Sequence, residues 1–156
     1  MPADQPLVVS VARALLGWRL ISELGEPGDP VLVATIIETE AYGGADDPAS
    51  HAHRGPTPRT ATMFGPAGRL YVYRSYGLHW CANVVVGAVG TPSAVLLRAV
   101  ALDVGDPLVA SLMADRRPKA RRPRDWANGP GKLAAALAIE GGLNGLDLFD
   151  PAAPLR

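Results

Sequence analysis

Cysteine occurs once in the 156 residues, at Cys81, and lysine twice, at Lys119 and Lys132. One cysteine excludes an internal disulfide framework. No apolar stretch approaches the roughly 20 residues of a membrane-spanning helix, and the N-terminus has no basic segment leading into an apolar one. The expectation is a cytosolic chain with no membrane partner. Acidic and basic residues balance at 15 each, so no overall charge marks a partner. At 48% hydrophobic and 19% charged, the composition excludes intrinsic disorder. The length suits one domain with a sizeable core.

The zero net charge hides an asymmetry. Residues 1–58 hold eight acids against three bases, a net of −5, whereas residues 59–132 hold eleven bases against four acids, a net of +7. A basic half can serve as a footprint for a polyanion; the commoner origin of a single charge run is a solvated arginine-rich surface.

The apolar, β-branched run from Val31 to Ile37 leads directly into Glu38-Thr39-Glu40-Ala41-Tyr42. It reads as a largely buried strand. Alternation places Glu38, Glu40 and Tyr42 on one face. A carboxylate at the end of a buried strand can be aimed by the scaffold, and the tyrosine beside it offers a flat surface. That pair suits chemistry on a planar ring.

The remaining elements follow from periodicity and punctuation. Val8 to Leu16 is predicted helical, with Gly17 as its stop. Trp18 to Leu24 is a first strand, and residues 25–30 form a turn. Gly43 to Pro58 reads as an irregular loop, and Ala61 to Phe64 carries no assignable pattern. Leu70 to Tyr76 and Trp80 to Val86 pair as a hairpin across Gly77-Leu78-His79. Ala94 to Leu102 is a strand with Leu96, Arg98 and Val100 on one face and Val95, Leu97 and Ala99 on the other. Pro107 to Arg116 is a helix with proline in its first turn, Arg116 to Arg124 a basic loop, and Gly129 to Glu140 a helix closed by Gly141-Gly142. A helix, then strands, then helices predicts an α+β domain with a mainly antiparallel sheet.

Three further clusters stand out. Leu70 to Gly77 holds Tyr71, Tyr73, Arg74 and Tyr76, a stacking and phosphate-contact composition. Tyr71 and Tyr73 share a face, and Tyr76 has the opposite parity near the turn. Asn128-Gly129-Pro130-Gly131-Lys132 opens a helix where an anion can sit, without the glycine spacing of a nucleotide-phosphate loop. His51, His53, His79 and Cys81 supply metal-ligand atoms, but their spacing is not that of a zinc finger.

Taken in order, these stretches resemble the alkyladenine (3-methyladenine) DNA glycosylase family. The resemblance rests on Ala12-Arg13-Ala14-Leu15-Leu16-Gly17, Glu38-Thr39-Glu40-Ala41-Tyr42, Asp47 through His51, Thr57-Pro58-Arg59 and Met63-Phe64. It continues through Gly68 to Gly77, Cys81 through Asn83, Leu96-Leu97-Arg98-Ala99, and Gly129-Pro130-Gly131-Lys132-Leu133. It implies a single α+β domain around a curved antiparallel sheet, working on duplex DNA that contains a damaged purine, as a monomer without metal or cofactor. By position, it implies that Glu40 is the base that activates water and that Arg98 helps hold water and carboxylate. Tyr42 and Tyr73 would sandwich a flipped base, His51 would bond its edge, and Asn83 and Leu96 would wall out normal bases. Tyr76 would enter the duplex, with Arg59, Gly131 and Lys132 on the DNA. No lysine lies near Glu40 in sequence, so hydrolysis is expected rather than a Schiff base. The family continues past the point matching Leu148-Phe149 with further strands, so a shortened sheet is expected here. Two other readings use the same residues: a non-catalytic nucleic-acid binder, to which Glu40 would be a disadvantage, and a small metalloenzyme built on His51, His53, His79 and Cys81.

Overall fold

The computed structural model describes residues 5–156. Helix α1 (Gln5–Ala14) is followed by strands β1 (Arg19–Ser22), β2 (Leu32–Tyr42), β3 (Leu70–Ser75), β4 (His79–Val86) and β5 (Ser93–Leu102). Helices α2 (Pro107–Arg116) and α3 (Pro130–Ala136) complete the layer. The strands form one antiparallel sheet in the order β1-β2-β5-β4-β3. This is the expected α+β arrangement in a single small domain. The loop between β2 and β3 contains two 3₁₀ turns, His51–Arg54 and Ala61–Phe64.

The main core lies between one face of the sheet and the helices. Val8, Ala12 and Leu15 reach it from the N-terminal segment, Leu112 and Met113 from α2, and Leu133 and Ala136 from α3. From the strands it receives Leu32, Ala34, Ile36, Leu70, Val72, Ala82, Val84, Val95, Leu97 and Val100. A smaller core on the opposite face joins Tyr71, Val85 and Ala94 to Ala52 and Met63 of the long loop.

The pairing of β2 with β5 breaks strict alternation. Ile36 faces Val100, Glu38 faces Ala99, and Thr39 faces Leu97, so the register shifts and then shifts back. Each strand carries one extra residue at this irregularity, Ile37 on β2 and Arg98 on β5. Leu97 and Val100 therefore point into the same core, three residues apart. This corrects the predicted grouping of Val100 with Leu96 and of Leu97 with Ala99. On β2, Ile36 faces the main core and so does Ala41, five residues on. The bulge thus turns Glu40 and Tyr42 away from the face that Leu32, Ala34 and Ile36 occupy, although all five have the same parity.

Helix α3 ends four residues before the predicted Glu140. Ala138 adopts φ 56°, and the Ile139 N–H bonds the Ala134 carbonyl at 2.8 Å, the six-to-one closure of a Schellman stop. Both sheet edges are covered. Outside β3, Leu70 N–H bonds the Leu146 carbonyl and Gly145 N–H the Leu70 carbonyl. Outside β1, Ile21 and Arg156 exchange backbone bonds, and Glu23 N–H bonds the Pro154 carbonyl. Between these attachments Leu148, Ala153 and Leu155 are buried, so the last segment carries the chain from one edge to the other. Unpaired strand edges are thereby protected.

Candidate active site

The sheet face opposite the helices carries the candidate site. Thr39 Oγ1 donates to the Ala12 carbonyl at 2.8 Å, pinning the carboxylate segment of β2 onto the end of α1 from behind. Glu38, Glu40 and Tyr42 then project to the other side. Arg98, the extra residue of β5, meets them: its Nε donates to Glu38 Oε1 at 2.8 Å and its Nη1 donates to Glu40 Oε2. The Tyr42 hydroxyl donates to Glu40 Oε1 at 3.0 Å. Each oxygen of Glu40 therefore has one donor and keeps a free lone pair for a further one. The two carboxylates hold the Arg98 pKa above its ordinary value. Burial first, then the hydrogen bond and charge of Glu40, push the Tyr42 phenol up to about 12, so it stays a neutral donor.

Beside this unit lies a narrow cleft of about 40 Å³ lined by Tyr42, Ala49, His51, Met63, Tyr71, Tyr73, Asn83 and Ala94. Its walls pair aromatic faces with a few polar groups, the surfaces on which a flat ring can stack and hydrogen-bond. Glu40 and Arg98 are not in its wall; they reach it through the Tyr42 hydroxyl. His51 and Tyr73 meet edge to face with ring centroids 4.4 Å apart, and His51 Nδ1 lies 3.3 Å from the buried Tyr71 hydroxyl. Partial burial and the charge of Arg59 lower the His51 pKa, which favours the neutral ring. Burial, then the neighbouring Cys81, raise the Tyr73 pKa. Asn83 Nδ2 donates to the Tyr71 carbonyl at 3.1 Å. Leu96 is buried and pairs in register with both Glu40 and Asn83, so it stands between them on the same face of the sheet, outside the cleft's lining.

The sequence-predicted residues thus divide. Glu40, Arg98 and Tyr42 form one bonded unit, and Tyr42, His51, Tyr73 and Asn83 line one cleft. Arg59 lies over the Tyr73 ring, 5.5 Å from its centroid, at the rim. Tyr76 stands at the tip of the β3–β4 hairpin, 96% exposed. Its φ of 50° and the 68° of Gly77, with Leu78 N–H bonded to the Ser75 carbonyl, form a turn with two left-handed residues. That backbone is favourable for glycine or asparagine and strained for tyrosine.

Gly131 and Lys132 belong to a different groove, shared with His79 and Arg117. Gly131 has a packing reason of its own, since a Cβ there would come within 2.9 Å of the His79 Cβ. Lys132 Nζ donates to Asn128 Oδ1 at 2.8 Å. The basic loop is also less uniform than its composition. Arg116 is largely buried and clamps the Leu24 and Ala136 carbonyls and Asp29, and Arg117 Nε donates to the Trp126 carbonyl. These two arginines hold the fold, which leaves Lys119, Arg121 and Arg122 around the basic groove. The four proposed metal donors do not converge: Cys81 is buried, His53 bonds the Ala45 carbonyl, and His79 packs on Gly131. Among the described residues no three His, Cys, Asp or Glu groups form a metal cluster.

Tyr71, Ala49 and Met63 line the cleft without a role of their own in the sequence pattern, and Glu38 gains its partner only in the fold. Tyr71 was signalled by sharing a face with Tyr73. Ala49 and Met63 come from an irregular loop, which carries no periodicity to read.

The profile described as methylpurine-DNA glycosylase (MPG) matches residues 3–156. A protein of Frankia casuarinae named "Putative 3-methyladenine DNA glycosylase" is 53% identical over 155 residues, which is 95% of this chain and 64% of the relative. Similarly named proteins of Rhodococcus jostii and Mycobacterium tuberculosis are 47% identical over 153 residues and 50% over 128. They are covered to 64% and 61% of their own lengths, so the chain spans less than two thirds of these relatives.

Proposed function

The chain belongs to the methylpurine-DNA glycosylase family, and from that premise we propose that it removes damaged purines from duplex DNA. The observation that carries this reading is the disposition of Glu40: a carboxylate held by Arg98 and Tyr42, one donor on each oxygen, next to a cleft walled by aromatic rings.

A base inside a duplex is shielded from attack, so it is first rotated out, at a cost of a few kcal/mol. Tyr76 enters the space it leaves, and the cleft receives the ring between Tyr42 and Tyr73, with His51 at its edge. Neutral phenol faces favour a cationic, alkylated purine over an uncharged one. Asn83 and the buried Leu96 beside it limit how deep the ring can sit. Glu40 takes a proton from a water, the water oxygen bonds to the sugar C1′, and the electrons of the N-glycosidic bond leave with the base. The product is free purine and an abasic site. The nucleophile is water because neither lysine is beside Glu40, and Lys132 is held by Asn128 in another groove. Arg59, Lys119, Arg121 and Lys132 contact phosphate.

Release of free purine from an alkylated duplex by the purified chain tests the reading, with abasic sites scored by alkaline cleavage. Glu40→Gln can accept from Arg98 with its amide oxygen and turn its amide nitrogen to Tyr42, so the fold is kept while the base is lost. Its rate should fall by about 10²–10⁴-fold. No release by the parent chain, or undiminished release by Glu40→Gln, would overturn it.

A further inference from the structure

We propose that Glu38 is a positioning residue for Glu40, acting through Arg98; the inference rests on the hydrolytic reading above and deepens it. Glu38 does not line the cleft, and its side chain is more open to solvent than that of Glu40, 56% against 41%. A surface carboxylate ordinarily contributes little. Its placement is specific, however. It stands at the register irregularity where β2 and β5 each carry an extra residue, and that irregularity delivers Arg98 to the same face. Arg98 divides its donors between the two acids, Nε to Glu38 and Nη1 to Glu40.

The division matters because guanidinium and carboxylate prefer to pair through two parallel hydrogen bonds. Freed from Glu38, Arg98 can swing to present two N–H groups to Glu40. Both oxygens of Glu40 would then be occupied by the cation, in competition with the Tyr42 hydroxyl and with a water. Glu38 holds the Nε and so keeps Arg98 on one oxygen only. The other oxygen is left to Tyr42, and the remaining lone pairs to the nucleophile. The Thr39 bond to Ala12 between the two acids fixes their separation from behind.

Glu38→Ala and Glu38→Gln separate this role from mere surface charge. Glu38→Gln loses the charge but keeps an amide oxygen to accept from Arg98 Nε. Single-turnover base release should fall by about tenfold or more in Glu38→Ala with DNA affinity unchanged, and should return to within a few-fold of the parent in Glu38→Gln. The Nε–Hε resonance of Arg98, assigned by its loss in Arg98→Lys, gives a second readout independent of turnover. It should shift in Glu38→Ala and stay in place in Glu38→Gln. An unmoved resonance in Glu38→Ala overturns the proposal whether or not the chain is active. Equal loss of activity in both variants also overturns it, by assigning the effect to charge. A parent chain that releases no base sinks the hydrolytic reading instead, and leaves the resonance to judge the arginine's placement.

Discussion

Tyr76 occupies a backbone that its own side chain disfavours, so replacing it should move stability and activity in opposite directions. The left-handed conformation costs a non-glycine residue about 1–2 kcal/mol, and asparagine tolerates it far better, as its frequency in such turns indicates. Tyr76 is 96% exposed, so its removal forfeits almost no packing. Tyr76→Asn should therefore stabilise the fold by about 1 kcal/mol, which for a domain of this size raises the thermal midpoint by about 2–4 °C. The same substitution removes the group proposed to fill the vacated stack. Losing part of the few kcal/mol that offset unstacking should slow base release from duplex DNA by about 10–100-fold. Release from the same lesion in single-stranded DNA, where no duplex must be opened, should be unchanged. Differential scanning calorimetry and paired single-turnover assays on the two substrates measure both effects. A fall in the thermal midpoint would show that the tyrosine packs, and undiminished duplex activity would remove the wedge role; either result refutes the reasoning.

Tyr42→Phe keeps the ring but frees Glu40 Oε1, and should slow base release about tenfold with little change in DNA affinity, as read by single-turnover rates and anisotropy. Lys119 and Arg121 replaced together by alanine should lower the slope of log affinity against log salt by about two if both contact phosphate; an unchanged slope makes them a solvated surface. Stability should decline as pH falls below about 6.5, the unfolded value for histidine. The native state holds the His51 pKa down, so the unfolded chain binds the proton that the native one refuses. His51→Asn should flatten that part of a pH series of denaturant midpoints. Ala138→Gly relieves a left-handed alanine at the end of α3 and should raise stability by up to about 1 kcal/mol in chemical denaturation.

Much of the site was legible because it lies on strands. Alternation grouped Glu38, Glu40 and Tyr42, paired Tyr71 with Tyr73, and set Tyr76 apart near a turn. What alternation missed has a single cause. The paired irregularity at Ile37 and Arg98 involves no glycine or proline, so nothing in composition announces it, and the faces of β5 were misassigned past Arg98. The ion pairs of Arg98 depend on that irregularity and were equally hidden. The end of α3 was missed because alanine, the best helix former, occupies its left-handed stop. In the basic loop, charge was visible but partners were not. Arg116 is a clamp and Arg121 lies around an open groove, yet both look the same as letters.

The bulge shared by β2 and β5 works as a half-period phase shift. Upstream of it, even-numbered residues of β2 face the helices; downstream, even-numbered residues face the cleft. The strand can thus be apolar toward one core and functional toward another without a loop between the two halves. It also means that chain length in this stretch is locked across two strands. Deleting Ile37 alone would take the extra residue out of β2 and leave Glu40 and Tyr42 on the cleft side, but Arg98 of β5 would then stand unmatched. Only a matching loss at Arg98 would restore the pairing, and it would take the arginine with it. A change of length on β2 is therefore answered on β5, at the residue that holds Glu40.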